Sequence, residues 1–495
     1  MRFKLNRLAL IPAVAVFLAG CDDKIIYRDR PLYEEVPSAA LSFVGYSNSE
    51  TQLTVCGNCH VEKQKGWAAT GHASAWETLQ GNSEAETSCE GCHTVGQYGN
   101  VVNAVAGYEA TGEERYYDVQ CEACHGPGVD PNVALSHVDN PLDSNVPLAP
   151  LNVGAGATLT GGCGECHNGE HYGFVDEWAQ SRHGDASARK SYRDRDGCSA
   201  CHGGEGALVA WGVDTEYLEK GGTDNQIGIT CAVCHDPHNG TNEHQLRWPV
   251  DNRDVDTNLC MKCHQRRAVP DLDRPSRGPH SPQGPLLLGQ DVGWIPPNFA
   301  YDTIYAEGGA IRGTHGSEAN QELCATCHLN SYEVTDPATG DHVFNVTGHL
   351  FKPIPCVDAE GVPTGDDDCA MTTSARSFAS CTTSGCHGSE DAALSALSVA
   401  KTRIVNLVAQ LDALLDQVDP AAFNNNDGIL TVAEGANFNA GLGDISSSAV
   451  HNPFLMEALL TGSIKAVLDT YGPFPAPVAP DLLVPVLWQN SRGGN

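Results

Sequence analysis

Residues 56–75 read CGNCHVEKQKGWAATGHASA, and residues 163–186 read CGECHNGEHYGFVDEWAQSRHGDA. In both stretches a Cys-x-x-Cys-His motif is followed by Trp-Ala, then by Thr or Ser, one further residue and a His. The alignment pairs Trp67 with Trp178 and His72 with His183. A recurring unit of this kind indicates an internal repeat, and this repeat governs the fold prediction.

The Cys-x-x-Cys-His motif occurs eight times in the chain. Two thiols at this spacing reach two vinyl groups on one porphyrin edge, and the adjacent His can ligate the iron. Zinc sites instead pair two Cys-x-x-Cys units at short range without an adjacent His each time. The motifs therefore predict covalent haem attachment. In chain order, motifs 1 to 8 are Cys56/Cys59/His60, Cys89/Cys92/His93, Cys121/Cys124/His125, Cys163/Cys166/His167, Cys198/Cys201/His202, Cys231/Cys234/His235, Cys260/Cys263/His264 and Cys324/Cys327/His328.

Five of the 21 cysteines lie outside these motifs: Cys21, Cys356, Cys369, Cys381 and Cys386. The simplest assignment makes Cys381 and Cys386 the thioether pair of a ninth motif with a longer spacer, with His387 as ligand. Cys356 and Cys369 then form a disulfide, which an oxidising compartment permits and which contributes roughly 3 kcal/mol in the chain-entropy model. The alternative attaches the ninth haem through Cys369 and Cys386 and pairs Cys356 with Cys381.

Motif spacing extends the repeat. The first cysteines of motifs 1 to 3 are 33 and 32 residues apart, and those of motifs 4 to 6 are 35 and 33 apart. The predicted segments are a lipoprotein signal peptide (1–20), a linker from the lipid anchor (21–50), a trihaem module with haems 1–3 (51–155), its repeat plus haem 7 (156–270), haems 8–9 with the disulfide loop (271–390), and a helical C-terminal cap and tail (391–495).

The composition favours a loop-rich fold, with 52 Gly, 28 Pro and only 41% hydrophobic residues. We expect a multihaem cytochrome c fold, in which short α-helices wrap around a chain of haems with little β-structure and an α-helical C-terminal cap. Leu397, Ile404, Leu411 and Val418 recur every seven residues and predict one apolar helix face. A second helix is predicted over 451–472, and the Pro/Gly-rich stretch 274–289 is predicted to be a loop.

Residues 423–434, FNNNDGILTVAE, partly match a calcium-binding loop. Gly428 and Glu434 hold its sixth and twelfth places, but Phe423 occupies the first, where an oxygen ligand is required. A plain turn is the preferred interpretation, and a calcium ion is the alternative.

The N-terminus resembles that of an exported lipoprotein. The basic residues of MRFKLNR precede 11 apolar residues that end in LAGC, a lipobox-like sequence with Cys21 as the lipidated residue. We expect anchoring in the cell envelope of a Gram-negative bacterium, on the periplasmic face or the outer surface. The formal charge of −33 opposes nucleic-acid binding and favours redox partner proteins with a basic patch, such as other cytochromes.

Nine of the 20 histidines belong to motifs, which leaves eleven as possible second axial ligands. An iron with two axial histidines transfers electrons but has no open position for a substrate. The repeat favours His72 and His183, and His244 is the alternative to His238, while His171 and His342 are the weakest candidates. The full set of preferred second ligands is His72, His137, His183, His238, His280, His315, His349 and His451.

The segment 56–128, with TGHASAW, CEGCHTVG and VQCEACHGPG, resembles the tetrahaem cytochrome family of ammonia-oxidising bacteria. The whole arrangement resembles the multihaem lipoprotein cytochromes of metal-reducing bacteria. The resemblance implies closely packed haems with two axial histidines that act as an electron wire. Nine sites exceed the four of the tetrahaem family, so that family's partner is not carried over.

These observations predict an electron carrier, without catalytic residues, between periplasmic or quinol-linked donors and a terminal or extracellular acceptor. An enzyme is the first alternative: a multihaem reductase of nitrogen or sulfur oxyanions with one open haem, although the acidic field opposes anionic substrates. The second alternative is a subunit of a polymerising cytochrome filament.

Overall fold

The computed structural model describes residues 42–100, 102–129, 162–169, 172–185, 190–193, 195–213, 228–299, 306–307, 310–311, 313–383, 385–423 and 428–475. Its α-helices are α1 (Val61–Trp67), α2 (Ala75–Gln80), α3 (Gly107–Thr111), α4 (Cys121–His125), α5 (Phe174–Gln180), α6 (Lys190–Arg193), α7 (Ser199–His202), α8 (Gly204–Ala210), α9 (Cys231–Cys234), α10 (Gln283–Leu288), α11 (Cys324–His328), α12 (Ala379–Thr382), α13 (Glu390–Leu415), α14 (Val432–Gly443), α15 (Ser448–His451) and α16 (Pro453–Tyr471).

The β-structure of these residues consists of short antiparallel pairs: β1 (Tyr46–Asn48) with β2 (Leu53–Thr54), β3 (Ala306–Glu307) with β4 (Ala310–Ile311), β5 (Tyr332–Thr335) with β6 (His342–Val346), and β7 (Cys356–Val357) with β8 (Pro363–Thr364). Apart from α13, α14 and α16, the helices have seven residues or fewer. The prediction of a loop-rich fold with short helices, little β-structure and a helical C-terminal region is confirmed.

In the described part of the predicted linker 21–50, residues 42–46 are buried against the first module. Phe43 is fully buried, and the backbone N–H groups of Val44 and Gly45 donate to the carboxylate of Glu122 at 2.7–3.0 Å. The Tyr116 hydroxyl also donates to the carbonyl oxygen of Phe43 (3.0 Å). An apolar side chain and a buried carboxylate thus order a segment whose sequence alone suggested a tether. The signal peptide and Cys21 lie outside the described residues.

The C-terminal helices share the largest apolar core of the described chain. Ser389 caps α13 by accepting the Ala392 N–H, and Asn452 caps α16 by accepting the Leu455 N–H, both at 3.1 Å. The fully buried members of this core include Leu411, Leu414, Leu442, Leu455, Met456, Leu459, Leu460, Ile464 and Val467. Helix α14, which the sequence analysis did not predict, lies between the two predicted helices and packs against both of them.

The core of these helices extends beyond the predicted cap. Ala268, Leu286 and Val292 belong to the same cluster, so residues of the preceding segment pack directly against the helices. Leu286 lies in α10, which corrects the prediction that 274–289 is entirely loop: its three consecutive leucines are buried. Among the described helices, α13 alone is long and apolar enough to cross a membrane by length and composition. Its C-terminal half is buried in this core.

The possible calcium loop is only partly described, because residues 424–427 lie outside the described ranges. Glu434, its twelfth position, is the third residue of α14. Its carboxylate accepts the Thr431 backbone N–H at 2.9 Å in a capping box, and the Thr431 hydroxyl accepts the Glu434 N–H. This reciprocal cap gives the buried Glu434 carboxylate a structural role that needs no cation.

Candidate haem-binding sites

In five of the regular motifs the backbone folds back so that the His N–H donates to the carbonyl of the first cysteine. These distances are 2.9 Å for motif 1, 3.0 Å for motifs 4 and 5, 2.8 Å for motif 6 and 3.1 Å for motif 7. The turn brings both thiols and the imidazole of a motif close together, which is what attachment and ligation of one porphyrin require.

The ninth motif reproduces this turn across its longer spacer. The His387 N–H donates to the Cys381 carbonyl at 3.2 Å, although six residues rather than four separate them. Gly385 has φ +72°, a left-handed conformation that a glycine adopts without strain and that helps the extra residues to bulge. The geometry therefore favours Cys381 over Cys369 as the partner of Cys386.

Cysteine pairing in the described chain agrees with the assignment of Cys381 and Cys386 to the ninth motif. Cys356 and Cys369 are disulfide-bonded, and their Cα atoms are 6.0 Å apart. The other eighteen described cysteines, two in each of the nine motifs, are not disulfide-bonded. Three of these thiols, those of Cys59, Cys163 and Cys386, belong to exposed residues.

Cys59 and His60 of motif 1 are both exposed. They lie at the end of the turn directly before α1, whose buried residue, Trp67, lies at the far end of the helix. Motif 1 lies near motif 3, because the hydroxyl of Thr54, two residues before Cys56, is 3.7 Å from the Cys121 thiol. The roles of Cys59 as a thioether and of His60 as an axial ligand stay predictions.

Seven motif histidines each face a second imidazole from a distant part of the chain. Two imidazole nitrogens that each lie about 2 Å from one metal ion place the ring centroids roughly 6 Å apart, and the observed centroids lie 6.0–6.4 Å apart. The pairs are His125 with His238, His167 with His72, His202 with His280, His235 with His349, His264 with His183, His328 with His451 and His387 with His315. The described residues contain no group of three or more metal-ligating side chains. Two opposed imidazoles fit a haem iron, whose other four ligands come from the porphyrin.

The remaining candidates are placed differently. His137 and His171 lie outside the described residues. His244, the alternative second axial ligand, does not face a motif histidine. Its side chain is 76% exposed and its Nε2 lies 3.6 Å from Glu243. Only its backbone takes part, because the His244 carbonyl accepts a hydrogen bond from Nδ1 of His235 (2.7 Å). His342 is exposed on β6.

Backbone carbonyls fix the orientation of several of these rings. Nδ1 donates to the Ala75 carbonyl in His93 (2.9 Å), to Phe351 in His328 (2.8 Å) and to Val450 in His315 (2.7 Å). A ligating His commonly uses its other ring N–H in this way, which leaves Nε2 for the metal. The bond made by His93 likewise leaves its Nε2 for a metal.

Burial keeps several of the paired imidazoles neutral, which is the form that binds a metal. Burial first, and the facing imidazole second, lower the pKa of His72, His125, His183 and His349 to about 4. The same two causes lower the pKa of His451 to about 3.

The repeat predicted from the two Trp stretches is present in the structure. The indole N–H of Trp67 donates to the Val119 carbonyl at 2.9 Å, and that of Trp178 donates to the Ile229 carbonyl at 3.0 Å. Both acceptors lie two residues before the first cysteine of the module's third motif. The hydroxyls at the aligned Thr70 and Ser181 donate to the Trp carbonyl of their own module, both at 2.7 Å.

Thiols of different motifs influence one another, and the pattern repeats from module to module. A neighbouring thiol raises the pKa of Cys56, Cys166, Cys231, Cys263 and Cys324; the respective neighbours are Cys121, Cys92, Cys163, Cys201 and Cys260, which relates motifs 1 and 3, 2 and 4, 4 and 6, 5 and 7, and 7 and 8. Burial first, and a thiol of another motif second, raise the pKa of Cys124, Cys234 and Cys327, which relates motifs 3 and 4, 6 and 7, and 8 and 9. By this pattern motif 7 is related to motif 6 as motif 4 is to motif 3, so motifs 7 and 8 are counted as a third module.

Comparisons with known proteins match this geometry. Residues 55–126 match the family model "Cytochrome c554 and c-prime", and residues 226–269 match a doubled CXXCH motif. The chain is a multihaem c-type cytochrome. The cytochrome is 24% identical, over 338 residues that make up 61% of it, to the C-type polyheme cytochrome OmcB in two strains of Geobacter sulfurreducens, DL-1/KN400 and PCA. The match covers 38% of those relatives, so the cytochrome corresponds to about two fifths of their length. No solved structure matches it.

Sequence reasoning missed one buried carboxylate in this cytochrome. Glu177 on α5 is 4% exposed, and it accepts the Thr347 N–H at 2.7 Å and the Thr347 hydroxyl at 2.9 Å. A glutamate in a short amphipathic helix normally faces solvent. Its acceptor role depends on a segment 170 residues away, so no local signal reveals it.

Proposed function

We propose that this cytochrome is an exported electron carrier that binds nine covalent haems, most of them with two axial histidines. It passes electrons between periplasmic or quinol-linked donors and a terminal or extracellular acceptor. The observation that carries the proposal is the set of seven imidazole pairs with centroids 6.0–6.4 Å apart. A site with both axial positions filled by His favours electron transfer over substrate binding.

The residues of the chain divide into attachment and ligation roles. The thiols of the nine motifs, including Cys381 and Cys386, would form the thioether bonds, and the motif histidines, from His60 to His387, would be the first axial ligands. Bound haem supplies one-electron redox chemistry. Burial keeps His72, His183, His349 and His451 neutral, and a backbone carbonyl fixes His315 through Nδ1. The second ligands would be His72, His183, His238, His280, His315, His349 and His451.

The thiols that influence one another support an order for the electron path. Because thioethers mark one edge of each porphyrin, motifs whose thiols influence one another would hold haems at close range. These relations connect motifs 1, 3, 4, 6, 7, 8 and 9 in a line, and they attach motif 2 beside motif 4 and motif 5 beside motif 7. Electrons would travel along this line, with two lateral sites.

The anchor and the partner complete the proposal. Lipidation at Cys21 would attach the protein to the cell envelope of a Gram-negative bacterium, and an oxidising compartment suits the Cys356–Cys369 disulfide. The net charge of −33 would favour a redox partner with a basic patch and make the encounter salt-sensitive. The match to a polyheme cytochrome of Geobacter sulfurreducens supports export and electron transfer.

The test combines intact mass with electron paramagnetic resonance of the mature holoprotein. The mass should show nine haems and a lipidated N-terminus, and the iron signals should be low-spin. One stoichiometric high-spin haem that binds nitrite or sulfite would replace the carrier with an enzyme. Ordered fibres in electron micrographs of the purified protein would instead indicate a filament subunit.

A further inference from the structure

Six of the seven imidazole pairs follow one rule of exchange between modules; the exception is His202 of motif 5 with His280. His72 of the first module faces His167 of motif 4, while His238 of the second module faces His125 of motif 3. Each of the two modules thus gives one histidine to the other's motif.

The same exchange occurs at the next two junctions. His183 faces His264 of motif 7, and His349 faces His235 of motif 6. His315 then faces His387 of motif 9, and His451 faces His328 of motif 8. The forward histidine always meets the first motif of the following module, and the returning histidine always meets the last motif of the preceding one.

The residue before the repeated Trp contacts the returning histidine segment in both modules. In the first module this residue is Gly66, and an added Cβ would lie 1.7 Å from the carbonyl oxygen of His238. The backbone of α1 therefore packs directly on the residue that faces motif 3, and only glycine permits that approach.

In the second module the aligned residue is Glu177, whose carboxylate holds the segment around His349. It accepts the N–H and hydroxyl of Thr347 and the N–H of Leu350 at 2.7, 2.9 and 3.3 Å. Thr347 in turn contacts the imidazole: Nδ1 of His349 lies 3.2 Å from the Thr347 hydroxyl and 3.3 Å from its carbonyl. The chain of contacts from Glu177 to Thr347 to Nδ1 sets the ring that faces His235.

We propose that the residue before the repeated Trp is a positioning residue for the histidine received from the next module. Gly66 sets His238 by close backbone contact, and Glu177 sets His349 by hydrogen bonds. The last haem site of each of these modules is therefore complete only when the next module is docked. This inference rests on the proposed bis-histidine electron carrier and assigns two residues that touch neither thiols nor ligating nitrogens.

The first test replaces Glu177 in the full-length holoprotein. Glu177→Ala removes the acceptors of the Thr347–Leu350 segment, so His349 is expected to leave the iron and one haem per chain to become high-spin in electron paramagnetic resonance. Intact mass should show an unchanged haem number. Glu177→Gln keeps one acceptor oxygen at the same position and should restore most of the low-spin signal.

Glu434 provides the matched control. It is also a buried glutamate, 3% exposed, and its carboxylate also accepts a backbone N–H, from Thr431 at 2.9 Å, but it lies in the helical region outside all nine motifs. Glu434→Ala should lower stability without producing a high-spin haem. An unchanged spectrum for Glu177→Ala, or equal high-spin signals in both variants, would overturn the proposal.

Gly66 gives a second, independent test. Gly66→Ala should produce one high-spin haem, whereas Gly71→Ala, where an added Cβ has no atom within 4 Å, should not. The variant His349→Ala distinguishes a failure of the proposed axial ligands from a failure of the positioning role of Glu177. If it leaves all haems low-spin, the ligand set of the proposed function fails; if it creates one high-spin haem while Glu177→Ala does not, only the positioning role fails.

Discussion

The motif-bearing region, residues 42–387, and the helical region, residues 390–475, are stabilised in different ways. The helical region shares one continuous apolar core with Leu411, Leu442 and Ile464 fully buried. The motif-bearing region instead has small separate clusters, such as Phe43 with Val95, Ala106 and Tyr116. The motif-bearing region thus has few packed apolar side chains in any one place, whereas the C-terminal helices follow ordinary hydrophobic burial.

Polar contacts show the same difference. In the motif-bearing region, buried carboxylates such as those of Glu122 and Glu177 tie distant segments together through backbone N–H groups. In the helical region, polar side chains mainly cap helices, as Ser389 and Thr431 do. Loop segments without regular structure need such acceptors, because their backbone donors have no ladder partner.

Withholding haem should produce the largest difference in amide protection between the motif-bearing region and the helical region. In a chain secreted without haem attachment, we expect amides of residues 56–72 to exchange with deuterium within seconds, because their core is missing. Amides of α14 and α16 should remain protected, since their core consists of side chains. Hydrogen-exchange mass spectrometry measures both regions in one sample, with the holoprotein as control. Equal loss of protection would show that the helices also depend on the haems.

A large-to-small change in the helical core should have the next largest effect. Leu411→Ala should lower the free energy of unfolding by about 2–5 kcal/mol, because it removes a fully buried side chain and leaves a cavity. The haem absorption spectrum should stay unchanged, since this core holds no motif thiol. Guanidinium unfolding followed by far-ultraviolet circular dichroism measures the change. The control is Val405→Ala on the same helix, 54% exposed, for which little loss is expected.

The repeated indoles test whether the two trihaem modules are energetically equivalent. Trp67→Phe and Trp178→Phe each remove one indole N–H bond and leave a carbonyl, of Val119 or Ile229, without its donor. We expect each change to cost about 1–3 kcal/mol in the motif-bearing region and nothing in the helical core. Unfolding followed at the haem Soret band measures both variants. A cost in one module alone would mean that the structural repeat is not an energetic one.

Local patterns predicted the parts of the molecule that depend on near neighbours. Short stretches of sequence are enough to recognise the motifs, the Trp–His repeat and the apolar face of α13. Helix α14 was missed because glycines interrupt its pattern. An added Cβ at Gly435 would lie 2.2 Å from the Trp294 ring, so close packing requires the glycine that weakens the helix signal. His238 was preferred over His244, but no local pattern reveals that it faces His125, more than a hundred residues away.

The smallest expected effect is a difference in pH response within the helical region. Glu457 is 3% exposed, and its carboxylate lies 3.5 Å from the Arg403 guanidinium. Burial, which outweighs the attraction of Arg403, raises the pKa of Glu457 above its ordinary value of 4.5. The folded state therefore binds this proton more tightly than the unfolded state does. The stabilising contribution is fully present below pH 4.5 and is lost as the pH rises through the raised pKa.

Glu457→Gln stays neutral at every pH, so its free energy of unfolding should vary less with pH above 4.5 than that of the wild type. The slope removed is at most about 1.4 kcal/mol per pH unit in that window. Guanidinium unfolding from about pH 4.5 to about pH 8, followed by far-ultraviolet circular dichroism, measures it. Asp469→Asn, an exposed carboxylate of the same helix, is the control. Parallel curves for wild type and Glu457→Gln would show that Arg403 compensates fully for burial. The ionic contact would then stabilise this region as the carboxylate–backbone contacts do the motif-bearing region.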